Sequence, residues 1–117
     1  MQSKIKTEFG TIAVENEVIA RIAGLSAMEC YGVVGMAARS LKDGFVRLLK
    51  MENLSRGVSI AATKDGELII GLHIVVEYAT NLAAIADTLQ SNVRYAVQEA
   101  VGLNVKEVNI AIEGIRT

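Results

Sequence analysis

Two stretches in the second half of the chain alternate between apolar and other residues, and an Asp-Gly pair lies between them. The first stretch covers 58–62, the second covers 68–76, and Asp65-Gly66 separates them. The alternating apolar residues of the second stretch are Leu68, Ile70, Leu72, Ile74 and Val76. Because successive side chains of a strand point to opposite faces, both stretches are predicted to be strands with one apolar face. Glycine tolerates the positive φ of tight turns, so the two strands are predicted to form a β-hairpin.

Two other segments carry apolar residues at helical spacing, and both are predicted to be amphipathic helices. Asn16 can cap the first, because its side-chain oxygen can accept from an unpaired N–H, and we expect this helix to end near Cys30. Asn81 can cap the second, and Gly102 stands where a helix end commonly takes a left-handed residue. The stripe of the second helix comprises Leu82, Ile85, Ala86, Leu89, Val93, Ala96, Val97 and Ala100.

Strands near both ends of the chain complete the predicted fold. The segment 5–14 suits a first strand and 105–115 suits a closing strand, which gives the order β-α-β-β-α-β. Two such helices would bury their stripes on one face of a mostly antiparallel four-stranded sheet. We therefore expect a single α+β domain over 1–117.

The segment 37–56 is the most basic part of the chain. Its local charge is +3, from five basic and two acidic residues, and Gly44 interrupts the helical spacing of Leu41, Phe45, Leu48 and Leu49. We predict a variable, mobile insertion with some helix. The apolar stretch 31–36 that precedes it is bracketed by glycines and is predicted to be a loop or a short edge strand.

Composition narrows the class of protein. With 51% hydrophobic and 21% charged residues, a chain of 117 residues is expected to form one packed core. A net charge of −1 gives no global attraction to nucleic acid or anionic lipid. A lone cysteine, Cys30, favours a reducing compartment. We see neither a signal peptide nor the roughly 20 apolar residues of a membrane helix, so we expect a cytoplasmic protein, peripheral at the membrane only through a partner.

The residues that usually carry chemistry are scattered. His73 is the only histidine and lies in the middle of a predicted strand, which favours a structural or half-exposed histidine over a ligand or base. Cys30 is interpreted as a buried structural residue. Glu77 and Glu113 lie on different strands without a register that would fix their distance. We therefore expect no enzyme activity, no metal site and no cofactor.

One short motif keeps a second function open. Gly32-Val-Val-Gly35 has the GxxG spacing of KH domains, in which a glycine loop lets the backbone approach a nucleic-acid strand. The basic segment 37–56 follows directly. Because the two inner residues are valines and the chain is slightly acidic, nucleic-acid binding is the less favoured alternative. A small α+β domain that senses a metabolite between subunits is another.

The order and spacing of several segments resemble the alkaline shock protein (YloU-like) family of Gram-positive bacteria. These segments are Gly10–Val14 running into Val18–Gly24, Gly32–Gly35, Gly57–Ile60, Ile74–Tyr78, the helix that carries Leu89-Gln90 and Val93, and Gly102–Ile110. The resemblance covers nearly the whole chain outside 37–56. Where many members have a proline before the loop glycine, this chain has Tyr31, so its loop is expected to differ.

What the resemblance implies is assembly and not catalysis. Members are abundant cytoplasmic proteins linked to envelope stress, some held at the membrane by a small membrane-anchored partner, and others are encoded beside a fatty-acid kinase, which points to lipid metabolism. Val33, Val34 and Met36 form an apolar cluster between glycines, too near the surface to serve the core alone, so we also expect a homo-oligomer that Val34→Asp would weaken. The candidate interface residues are Tyr31, Val33, Val34, Met36, Gln90 and Arg94.

Overall fold

A computed structural model describes residues 2–39, 46–77 and 81–116 of the chain. Two α-helices, α1 and α2, cover Asn16–Met28 and Leu82–Val101, and a 3₁₀ helix covers Met51–Gly57. The strands of the described residues are β1 (Gln2–Thr7), β2 (Gly10–Glu15), β3 (Val33–Arg39), β4 (Val46–Leu48), β5 (Val58–Ala62), β6 (Leu68–Glu77) and β7 (Val105–Arg116).

Strand β6 is the centre of the main sheet. One of its edges pairs in parallel with β7 along its whole length. The other edge is shared end to end by two antiparallel strands, β5 beside Leu68–Leu72 and β3 beside Ile74–Val76, and β4 extends the sheet beyond β3. The hairpin of β5 and β6 is therefore as predicted. The parallel β6–β7 pair follows from the crossover through α2, which returns the chain to the end of the sheet at which β6 began.

Both helices pack on one face of this sheet, as predicted for the α+β class. The side chains of β6 that point to the helices are fully buried, and they share one apolar core with Ile19 of α1 and Leu89 of α2. The predicted caps of α2 are confirmed: Asn81 Oδ1 accepts from the N–H of Ala84 at 3.1 Å, and Gly102 has φ 74. We call the opposite face, where Ile69 and Val75 are only half-buried, the open face.

The start of the chain differs from the predicted single strand over 5–14. It forms a separate hairpin of β1 and β2, in which Lys6 pairs with Thr11 and the turn carries Phe9, 94% exposed. The main sheet has five strands where four were predicted: β3 and β4 take the place expected for the first strand, and Met36 of β3 is fully buried opposite Ile74. The reason is burial: a strand through 5–14 would have few apolar side chains to offer the core.

The described parts of the basic segment 37–56 pack into the domain. The segment supplies the end of β3, the whole of β4 and most of the 3₁₀ helix, and Leu54 is fully buried in the core. Its middle, 40–45, lies outside the described residues, so its mobility stays a prediction.

Candidate interaction surface

The loop after α1 presents one of the exposed residues of the predicted interface. Tyr31 is 85% exposed, between the end of α1 and the start of β3. Gly32 has φ 89, and its carbonyl accepts from the N–H of Glu77 at 3.0 Å, which fixes the loop against β6. Tyr31 is therefore held on a backbone of defined geometry.

A shallow groove of about 190 Å³ lies next to this tyrosine. We call it the Tyr31 groove, and its lining residues are Tyr31, Asn81, Ala84, Ile85 and Thr88. The first two turns of α2 thus form one wall and Tyr31 forms the other. Leu82, 40% exposed, adds apolar surface on the same turn of α2. Aromatic residues that present an apolar ring with a polar end are enriched at protein interfaces.

The residues that follow Tyr31 are less available than predicted. Met36 is fully buried in the core, so its assignment to an interface is wrong. It lies opposite Ile74 on the helix-covered side of the sheet, and the alternation of β3 turns it inward. Val33 packs partly against the core, and Val34, at an irregularity of the strand between Val33 and Gly35, is half-buried.

The GxxG spacing does not form a loop in this structure. Gly32 lies in the turn, but Gly35 is part of β3 and pairs with Val75. A Cβ at Gly35 would lie 3.1 Å from Cδ2 of Leu48, so this glycine serves the close approach of β4. The backbone that a nucleic-acid strand would contact in a KH domain is therefore engaged within the sheet.

Gln90 and Arg94 lie on the surface of α2 but reach the backbone of β7. Nε2 of Gln90 donates to the carbonyl of Val108 at 3.0 Å, and Nη2 of Arg94 donates to the carbonyl of Lys106 at 3.2 Å. Both residues are exposed, as predicted. Sequence reasoning missed their contact with the sheet edge, because helix periodicity gives the face of a residue but not its tertiary neighbour.

His73 lies on the open face and pairs with Glu113. Its Nδ1 donates to Oε1 of Glu113 at 2.8 Å, and the two side chains expose 45% and 18% of their surface. The prediction of a half-exposed strand histidine is thus confirmed. The pair forms because parallel register places His73 beside Ala111, and Glu113 is an extra residue in β7 at a bulge next to that row.

The open face also carries a cleft of about 310 Å³ centred on Gly71. Because glycine leaves no side chain there, the cleft lies between Ser59 of β5 and Asn109 of β7, which both pair with Gly71. His73 borders it as well. The cleft therefore joins an apolar floor to several groups that can form hydrogen bonds, which is the usual make-up of a small-molecule site.

The remaining candidates for chemistry behave as structural residues. Cys30 is buried, and its Sγ accepts from Nδ2 of Asn92 at 3.5 Å and donates to the carbonyl of Ser26 at 3.6 Å.

Among the described residues, no three histidine, cysteine or acidic side chains are grouped so that they could hold a metal ion. In the same part of the chain, no helix has the length and apolarity needed to cross a bilayer.

Comparison with known proteins finds relatives that match almost the whole of this chain. The chain is 42% identical to the YloU protein of Bacillus subtilis (strain 168), over 99% of this chain and 97% of that protein. It is 34% identical to the Spy1614 protein of Streptococcus pyogenes serotype M6, over 99% of this chain and 96% of the relative. A "stress response regulator gls24 homolog" of Streptococcus pyogenes serotype M3 is 30% identical, over 92% of this chain and 60% of its own length.

A solved structure has a similar fold, and a family model matches the sequence. The structure described as "MamM CTD H264E-E289H" aligns with a TM-score of 0.51 over 86% of this chain and 93% of its own, at 12% identity, which bears on fold alone. The model of the alkaline shock protein 23 family, described as having a cell envelope-related function, matches residues 4–117. The resemblance seen in the sequence is thereby confirmed, and the chain belongs to the alkaline shock protein 23 family.

Proposed function

We propose that the protein is a non-enzymatic assembly or scaffold protein of the envelope stress response that acts through protein–protein contacts. The family description and the stress-response relatives support the cellular process. The scaffold role rests on one observation, the exposed Tyr31 beside an apolar groove at the start of α2. Burial of such a ring by a partner would remove apolar surface from water, at about 25 cal/mol per Å².

The geometry of the Tyr31 groove suits a partner that supplies a small apolar side chain. The groove is small, one of its walls is the regular surface of a helix, and the loop that carries the tyrosine is fixed by hydrogen bonds. A surface of fixed geometry loses little conformational entropy on binding. A membrane-anchored protein that binds here would bring this chain to the envelope, either as a scaffold or in support of lipid metabolism.

The experiment that tests this function is site-specific photo-crosslinking in cells. A photoreactive phenylalanine analogue replaces Tyr31 in one variant and Tyr95 in a matched control, because Tyr95 is also an exposed tyrosine but lies outside the Tyr31 groove. We expect a specific crosslinked protein in the membrane fraction from position 31, lost when Ala84→Glu fills the groove with charge. Equal crosslinking from both positions, or none from position 31, contradicts the proposal.

The cleft on the open face favours a second candidate function, the sensing of a small metabolite. Ser59, Asn109 and the Glu113-bound His73 surround an apolar floor there. A thermal-shift screen of polar metabolites tests it, with Gly71→Val as the variant that fills the cleft. We expect a compound that raises the melting temperature of the wild type and leaves the variant unchanged, and the absence of any such compound removes this candidate.

A further inference from the structure

Side chains of α2 occupy the first part of the outer edge of β7. Gln90 and Arg94 donate to the carbonyls of Val108 and Lys106, and Oε1 of Gln98 accepts from the N–H of Val105 at 3.0 Å. These side chains stand on successive turns of α2. A backbone group that already binds a side chain has less hydrogen-bonding capacity left for a further strand, so this part of the edge is partly protected.

The protection ends at Val108, but the strand continues to Arg116. The side-chain bonds from α2 to the edge of β7 fall within 105–108, and within the described chain no strand pairs with this edge. Ile112 and Ile115, on the helix-covered side of this part, are 37% and 53% exposed. A long strand edge with exposed apolar residues is a site at which another strand adds.

The bulge in β7 determines which residues share a face. Ile112 pairs with Ile74 and Gly114 pairs with Val75, so Glu113 is the extra residue. The faces alternate on each side of it. The helix-covered side carries Val108, Ile110, Ile112 and Ile115, and the open side carries Glu107, Asn109, Ala111, Gly114 and Arg116.

We propose that β7 pairs antiparallel with β7 of a second copy of this chain, about a two-fold axis at Ala111. Residues that stand opposite each other in such a pair must point to the same face. An axis at Ala111 satisfies this along the strand, because Glu113, the extra residue, has no opposite residue in either copy. The resulting pairs are Ala111 with Ala111, Ile110 with Ile112, Asn109 with Gly114, Val108 with Ile115, and Glu107 with Arg116.

The backbone directions agree with this register. The carbonyl of Val108 points outward, since it binds Gln90. Along a strand, the direction of the backbone N–H and C=O groups alternates together with the direction of the side chains. Ile110 and Ile112 therefore also direct their N–H and C=O groups outward, and the proposed register places them opposite each other as a hydrogen-bonded pair. At Val108 the carbonyl oxygen has a second lone pair, so the bond from Gln90 can remain.

Apolar pairing and charge both favour a second copy over an unrelated strand. The exposed Ile112 and Ile115 would each lie beside an apolar residue of the other chain, Ile110 and Val108 respectively. Glu107 and Arg116 are exposed and would form an ion pair at each end of the ribbon. Because only one strand from each copy takes part, we expect a weak dimer that depends on concentration. This inference rests on the proposed function, for which it names the self-association surface.

Cysteine crosslinking tests the position of the axis. In a non-hydrogen-bonded antiparallel pair the Cα atoms lie about 4.5 Å apart, within disulfide range, so Ala111→Cys should give a covalent dimer on mild oxidation. Asn109→Cys is the matched control on the same face. Its two copies would lie about 14 Å apart by the strand geometry, too far for a disulfide. Both variants keep the buried Cys30.

A charge exchange tests the register independently of oxidation. Arg116→Glu places two glutamates opposite each other and should weaken the dimer at least several-fold in sedimentation equilibrium, as should Glu107→Arg. The double variant restores opposite charges and should return the dissociation constant to near that of the wild type. Both positions are exposed, so the fold should be unaffected, which circular dichroism checks.

Three outcomes would overturn the proposal. They are a monomeric mass at high micromolar concentration, a dimer that crosslinks equally from positions 109 and 111, and a dimer that Val34→Asp disperses while Arg116→Glu leaves it intact. The last would place self-association at the irregular part of β3 instead. Crosslinking of a membrane protein from Tyr31 reports on the proposed function separately, since Tyr31 lies outside β7.

Discussion

The side-chain amide of Gln90 donates a hydrogen bond to the carbonyl of Val108, 18 residues further along the chain, at 3.0 Å. The contact joins the middle of α2 to the edge of the strand that follows it. It also fixes the rotation of the helix, because Leu89, the preceding residue, then points into the core and is fully buried. The rotation of α2 can be tested by substitution at these two positions.

Leu89→Ala should destabilise the protein far more than Gln90→Ala. Loss of a fully buried leucine removes transfer energy and leaves a cavity, which costs about 2–5 kcal/mol. Gln90→Ala removes one hydrogen bond at an exposed edge, and we expect about 0.5–1 kcal/mol. Urea denaturation with a common m-value measures both. A costlier Gln90→Ala would mean that α2 is rotated from the orientation described.

The pairing of His73 with Glu113 should select one tautomer of the imidazole. Because Glu113 accepts from Nδ1, the neutral ring should carry its proton on Nδ1. Ring ¹⁵N chemical shifts of the neutral imidazole measure the tautomer directly. In Glu113→Ala the population should move toward the Nε2–H form, while Glu107→Ala, a control on the same strand, should leave it unchanged. A dominant Nε2–H form in the wild type contradicts the pair.

Amides in 46–57 should exchange with solvent faster than those of α2 between 85 and 97. The first region consists of a three-residue strand and a 3₁₀ helix with a non-helical residue at Asn53, whereas α2 is a regular helix of 20 residues. Short elements with poor hydrogen-bond geometry open at low free energy. Hydrogen exchange followed by mass spectrometry compares the two regions, and equal protection would refute the expectation.

Gly57→Ala should destabilise the protein, because its surroundings leave no room for a methyl group. A Cβ there would lie 3.0 Å from the carbonyl oxygen of Ala37 and 3.1 Å from Cβ of Met36. Neither neighbour can move without a shift of β3, so we expect a cost of about 1–3 kcal/mol. Gly114→Ala is the matched control, because its nearest neighbour would be Cγ2 of Val75 at 3.9 Å, and it should cost under about 0.5 kcal/mol. Thermal denaturation of dilute protein measures the difference.

Much of the fold was predictable because its signals are local. The alternation through β5 and β6, the spacing of α2 and the residues at its two ends depend only on the chain near them. The placement of β3 was not predictable in this way. Its apolar run between glycines is compatible with a loop, an edge strand or a core strand. The outcome depended on which segment of the chain could supply a large apolar side chain to the core, and β3 supplies Met36.

The candidate surface was predictable only in part for the same reason. Tyr31 is exposed because a turn places it between two elements, and the glycine after it indicates that turn. The pairing of His73 with Glu113 needs the register of two parallel strands and a bulge, and neither leaves a mark on the local sequence. Gln90 and Arg94 were identified as surface residues, but their contact with β7 depends on how α2 lies across the sheet.

The sequence by itself determined the hairpin of β5 and β6, the closing strand β7, the two α-helices with their apolar faces, and where α2 begins and ends. Periodicity, caps and turn residues act over a few positions, so these features follow without knowledge of the rest of the chain. Tertiary structure alone decided the rest: that β5 and β3 share one edge of β6, that β7 lies on the other, and which part of its outer edge α2 protects. These choices bring together residues far apart in the chain, and the whole domain selects among them by the apolar area that each arrangement buries.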